Sequence, residues 1–203
     1  MAEVNWEPEI REFEAQDRKS PPPAGAVVFV GSSSIRLWET LAADMAPLAV
    51  VNRGFGGSTM ADVLKYANRI VIPCRPRAVV IYEGDNDINR GATPAQVAAG
   101  AEELAGMLAA ALPGVRLFFM GIKPSPSRVP LWPKFVEASR LIEDFCRRSG
   151  HVYIDVAPGM LDASGRPRPE LYVEDGLHMT AEGYRGWTGV VRPVLVGVLG
   201  ARG

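Results

Sequence analysis

Five short, almost unbroken apolar runs restrict the fold more than any other feature of this chain. Ala26-Val27-Val28-Phe29-Val30 ends at Gly31, and Leu48-Ala49-Val50-Val51 at Asn52-Arg53-Gly54. Ala78-Val79-Val80-Ile81-Tyr82 is followed by Glu83-Gly84, and Val115-Arg116-Leu117-Phe118-Phe119-Met120 by Gly121. Val152-Tyr153-Ile154-Asp155-Val156 leads into Ala157-Pro158. Runs of this length, stopped by glycine or polar residues, read as strands buried on both faces. Helical patterns separate them at about 35–45, 60–70, 94–111 and 133–149. A last helix covers about 180–199, entered through Thr180-Ala181-Glu182. Strand and helix alternate throughout, so the expected fold class is α/β: a three-layer α/β/α arrangement around a five-stranded parallel sheet.

Upstream of the first run, Trp6, Ile10 and Phe13 recur at helical spacing in a charged segment that Ser20-Pro21-Pro22-Pro23 stops. The 203 residues suit one domain over 1–203, with a helical extension at 1–23 and the core at 24–200. Lys+Arg of 22 against Asp+Glu of 23 gives a net charge of −1, which excludes a general nucleic-acid binder. Cys74 and Cys146 stand alone, so neither a disulfide framework nor a zinc cluster is expected. No apolar stretch is long enough to span a bilayer, and no stable membrane insertion is expected. As written, the chain is expected in the cytoplasm; trimming of a signal peptide would place it in the periplasm or outside the cell.

In parallel sheets ligands lie beyond the carboxyl ends of the strands, and there the chemistry-bearing residues collect. Gly31-Ser32-Ser33-Ser34 follows the first run. A strand-to-helix turn can lift a serine hydroxyl above the sheet, although serine there also serves as a helix cap. The second run leads into Asn52-Arg53-Gly54-Phe55-Gly56-Gly57-Ser58, whose glycines let backbone N–H groups approach a ligand. The third is followed by Glu83-Gly84-Asp85-Asn86-Asp87-Ile88-Asn89, where the Asn86 amide could donate to a developing oxyanion. A calcium loop starting at Asp85 would need Gly and Glu where the chain has Arg90 and Gln96. Near the end, Asp175-Gly176-Leu177-His178 pairs an acid with a histidine. A carboxylate at that spacing can accept from one imidazole nitrogen and leave the other as a general base. The second histidine, His151, opens the last strand at the wrong end of the sheet and is expected at the surface.

Together these blocks resemble the SGNH hydrolases, the superfamily of GDSL esterases and lipases, and most closely its bacterial members related to platelet-activating-factor acetylhydrolase. The resemblance rests on Gly31-Ser32-Ser33 after Val-Phe-Val, then Gly57, then Gly84-x-Asn86-Asp87, then Asp175-x-x-His178. It implies a flavodoxin-like sheet, no metal and no cofactor. It also implies Ser33 as nucleophile, His178 as base and Asp175 as the acid that orients it. The implied oxyanion donors are the Ser33 and Gly57 backbone N–H groups and the Asn86 side chain. The residues alone leave Ser32 and Ser34 open as nucleophiles. Ser32 also departs from the family, which carries Asp there.

The function expected is serine ester hydrolysis through an acyl-serine, with activity rising through roughly pH 6–7 as a histidine base loses its proton. The expected partner is a small-molecule carbohydrate or lipid ester with a short acyl group, since no long apolar lid is evident; a homodimer is compatible with the sequence. Trp38, Phe55, Trp132 and Tyr172 are candidates for its apolar contacts, with core packing as the competing reading. Lys123-Pro124-Ser125-Pro126-Ser127-Arg128 is expected at the rim, its two cations meeting a polar group. The alternatives are a non-catalytic module on the same scaffold that binds a small molecule or carbohydrate, and a flavin- or nucleotide-binding switch.

Overall fold

A computed structural model of the chain describes residues 4–200. Among the described residues the sheet has five strands: β1 (Val27–Gly31), β2 (Val50–Gly54), β3 (Ala78–Tyr82), β4 (Arg116–Met120) and β5 (Val152–Ile154). All pair in parallel, in the order β2-β1-β3-β4-β5. This is the flavodoxin-like order, with the chain reversing its direction of growth between β1 and β3.

Successive strand residues face opposite layers. Val28, Val30, Val79, Ile81, Leu117 and Phe119 point into one cluster, under α1 (Glu7–Lys19), α4 (Met60–Ile70), α6 (Pro94–Ala111) and α7 (Trp132–Ser149). Val27, Phe29, Val80, Tyr82, Phe118 and Met120 point into the other, under α8 (Ala181–Leu199) and the short helices α2 (Ser33–Arg36) and α3 (Leu41–Asp44). Burying each such side chain contributes about 1.5–3 kcal/mol.

Local chemistry starts the long helices where they begin. Thr59 and Asp62 form a reciprocal capping box at α4, and Thr93 and Gln96 form another at α6, whose first residue is Pro94. Thr180 accepts from the Gly183 N–H at α8. Helix α1 is packed into the molecule: Ile10 is fully buried, and Trp6 meets the edge of the Phe55 ring. Arg69 of α4 reaches back to Glu7 and Glu14, and the buried Arg53 guanidinium to Asp17.

Three expectations need correction. The pattern at 35–45 is two short helices, because the chain turns at Leu37 to bury Trp38 among Phe29, Tyr184 and Trp187, with its indole N–H on Asp44. The second strand runs on through Asn52-Arg53-Gly54. It is an edge strand, and its polar side chains are satisfied locally: Asn52 donates to the Ile35 carbonyl, Arg53 to that of Ile70. His151 is half-buried against Phe119 and Phe145, and that burial lowers its pKa from the ordinary value.

Candidate active site

Ser33 opens α2 directly beyond β1. Two glycines make room for that turn. A Cβ on Gly31 would fall 2.1 Å from the Tyr82 carbonyl oxygen, and one on Gly54 would fall 2.1 Å from the Arg36 nitrogen. The three adjacent serines separate by environment. Ser32 is buried and its hydroxyl has no partner; Ser34 is buried, and its carbonyl accepts from Tyr184. Only the Ser33 hydroxyl reaches the imidazole, with Oγ 2.9 Å from His178 Nε2.

His178 lies on a tight loop closed by the antiparallel bridge between Tyr172 and Met179 and by the Val173 N–H on the His178 carbonyl. Its Nδ1 is 2.5 Å from Asp175 Oδ2. Asp175 Oδ1 accepts the backbone N–H groups of Leu177 and His178 at 2.8 and 2.9 Å. Desolvation alone would raise the Asp175 pKa, but these two N–H groups and the imidazole outweigh it and hold the carboxyl at about 2. A carboxylate only accepts, so Nδ1 carries the proton and Nε2 is left to accept from the Ser33 hydroxyl. Hydroxyl, imidazole and carboxylate thus form one line along which a proton can leave the serine.

The other implied residues stand on neighbouring strand ends. Neither the Ser33 nor the Gly57 backbone N–H donates to another group among the described residues. Gly57 adopts a φ of +80°, and its carbonyl is held by Arg90 at 2.7 Å. Asn86 sits in α5 (Asp85–Asn89), and its Nδ2 donates to the Ser58 carbonyl at 3.0 Å. An open cleft of about 680 Å³ beside His178 is lined by Leu37, Val173, Met179 and Tyr184 together with Glu39 and Arg185. Among the described residues no group of three or more His, Cys, Asp or Glu side chains is placed to hold a metal ion.

The aromatic candidates are placed as follows. Trp38, Phe55 and Tyr172 are buried packing residues, with the Tyr172 hydroxyl donating to the Pro124 carbonyl. Trp132 is half-buried and lines a separate groove with Ile122, Tyr153 and Pro158. The loop expected at the rim is instead largely interior. Lys123 is fully buried, 3.6 Å from Asp85, and Arg128 ion-pairs with the same carboxylate at 3.2 Å. Sequence reading missed this cluster, and also the 2.5 Å hydrogen bond from Ser58 to the buried Glu83. The density of acids at 83–87 was the visible signal. The cations that face Asp85 lie some 40 residues further along the chain, and the hydroxyl that meets Glu83 lies 25 residues before it.

The profile of the GDSL-like lipase/acylhydrolase family matches residues 24–185. The chain belongs to that family. It is a carboxylic ester hydrolase. A chicken (Gallus gallus) protein, platelet-activating factor acetylhydrolase IB subunit alpha2, is 27% identical over 168 residues, covering 78% of this chain and 70% of its own. A Bacteroides fragilis protein assigned as an acylhydrolase superposes with a TM-score of 0.84 at 21% identity, covering 97% of this chain and 100% of its own. An acetyl-xylooligosaccharide esterase from Geobacillus gives 0.69 at 16% identity, with 88% and 96% covered. At these identities the two structural likenesses concern the fold. No helix of this hydrolase, among the described residues, is long and apolar enough to cross a membrane.

Proposed function

We propose that this hydrolase removes a short acyl group, acetyl above all, from the hydroxyl of a small-molecule ester through an acyl-serine intermediate. The observation that carries the proposal is the line from Ser33 Oγ to His178 Nε2 at 2.9 Å and from His178 Nδ1 to Asp175 at 2.5 Å. In the first step Ser33 Oγ attacks the ester carbonyl carbon while His178 Nε2 takes the hydroxyl proton. The carbonyl oxygen becomes an oxyanion, received by the Ser33 and Gly57 N–H groups and the Asn86 amide. Collapse breaks the bond to the leaving alcohol, which takes the proton from His178. Water then gives its proton to His178 and attacks the acyl-serine, releasing the acid and restoring Ser33. Each oxyanion donor is worth about 10²–10³ in rate.

Two observations support a small acyl group. The cleft beside His178 is open and mixed in character, with carboxylate and guanidinium among its apolar walls. Two of the similar proteins are named for acetyl groups, one as a platelet-activating factor acetylhydrolase and the other as an acetyl-xylooligosaccharide esterase. Hydrolysis of p-nitrophenyl acetate, butyrate and octanoate by the wild type and Ser33→Ala tests the reading. Turnover should fall with acyl length and be abolished by the substitution. Equal turnover by both proteins would remove Ser33 from the mechanism, and a preference for octanoate would remove the short-acyl assignment.

A further inference from the structure

We infer that Arg128 is a positioning residue that fixes which face of the Asn86 amide meets the oxyanion; the inference rests on the reading of Asn86 as an oxyanion donor. A side-chain amide has two nearly isosteric orientations, and only one presents N–H groups to a developing negative charge. Arg128 Nη2 donates to Asn86 Oδ1 at 2.9 Å, and Asn86 Nδ2 donates to the Ser58 carbonyl at 3.0 Å. A guanidinium has no acceptor and a backbone carbonyl has no donor. Turning the amide over would set NH2 against guanidinium and carbonyl against carbonyl. With the amide locked this way, Nδ2 spends one N–H on Ser58 and keeps the second for the oxyanion.

The guanidinium is itself held. Its Nη1 lies 3.2 Å from Asp85 Oδ2, and the Arg128 side chain is only 11% exposed. Asp85 also faces the fully buried Lys123, whose Nζ donates to Ser125 Oγ at 3.1 Å. Asp85 immediately precedes Asn86, so a single carboxylate anchors the arginine against the amide it orients. Burial pushes the neighbouring Glu83 well above the ordinary carboxylate range. A cation on the carbonyl end of an amide also draws electrons from its NH2 and strengthens it as a donor. Lysine could keep the ion pair with Asp85, but its single ammonium lacks the planar fork that serves both partners.

The test is a double-mutant cycle on p-nitrophenyl acetate, using Arg128→Met and Arg128→Lys, each alone and combined with Asn86→Ala. Thermal melting is recorded for every variant. Asn86→Ala alone should lower kcat by about 10²–10³. Arg128→Met and Arg128→Lys should each lower kcat by about 10–10², with KM within about twofold, because the interaction matters chiefly in the transition state. Arg128→Lys keeps the charge and should melt near the wild type, so its loss of rate is not a loss of fold. In the Asn86→Ala background either substitution should cost less than about threefold, since its target is gone. Undiminished losses in that background, or no loss in the wild type, would overturn the positioning role while leaving Asn86 a donor. A harmless Asn86→Ala would overturn the oxyanion assignment and the inference with it.

Discussion

The two oxygens of Asp175 have different duties. Oδ1 accepts two backbone N–H groups and Oδ2 accepts the imidazole, so both ends of the group must be acceptors. Asparagine would have the same shape and one acceptor too few. Its carbonyl would go to the two N–H groups, leaving NH2 against Nδ1. The imidazole would then carry its proton on Nε2, facing Ser33, and could no longer take one. Asp175→Asn should therefore lower kcat by about 10²–10⁴ with KM little changed. A loss below threefold would show that Asp175 does not set the tautomer. The wild-type carboxyl is held at about 2, so its titration should leave no mark on the pH–rate profile above pH 4. Any acid limb seen there belongs to another group.

At the scale of elements, β2 and α2 touch through backbone at Gly54. An alanine Cβ there would lie 2.1 Å from the Arg36 nitrogen and 2.7 Å from its Cα, so helix and strand must part. Ser33 rides on that helix, and a shift of about 1 Å can cost 10²-fold in rate. Gly54→Ala should lower kcat/KM by about that factor and destabilise by about 1–3 kcal/mol, as overpacking does. Unchanged kinetics with a lowered melting temperature would mean that the turn relaxes without moving the hydroxyl. The same region shows why some elements were legible and others were not. β1 and β3 are covered on both faces, so their sequences are apolar throughout and announce themselves. β2 lies at the edge and carries Asn52 and Arg53 on side-chain hydrogen bonds that hydropathy cannot register. The break at Leu37 depends on Trp38 finding Trp187 and Tyr184 near the far end of the chain. Ser33, Asn86, Asp175 and His178 stood out because each follows a strand in a recognisable block. Arg128 and Lys123 did not, because a cation in a Pro-Ser loop looks like a surface group until Asp85 is seen facing it.

The whole molecule encloses more ionisable groups behind the site than its balanced charge suggests. Asp87 accepts the Met60 N–H at the start of α4, and its second oxygen is buried without a partner. Burial pushes its pKa from 3.8 up to about 6. The folded protein therefore holds a proton on Asp87 in a range where the unfolded chain has released it. The resulting stabilisation is complete below about pH 4 and is lost as the pH rises through about 6, by about 1–3 kcal/mol. Asp87→Asn keeps the acceptor for Met60 and removes the titration. Denaturation at pH 4.5 and 7.0 should show the wild type losing more stability between the two than the variant; equal losses would mean that Asp87 titrates normally.

The hydrogen bond between Ser33, the proposed nucleophile, and His178 joins residues 145 positions apart in the chain. Ser33 is laid down with the first strand, and the loop carrying His178 follows the last. A nascent chain can build much of the sheet while its serine is still without a base, and so chemically quiet. Esterase activity should consequently return on refolding no earlier than the sheet, because it also needs the loop of His178 to close on Ser33. Its appearance would serve as a clock for the closing of the final loop.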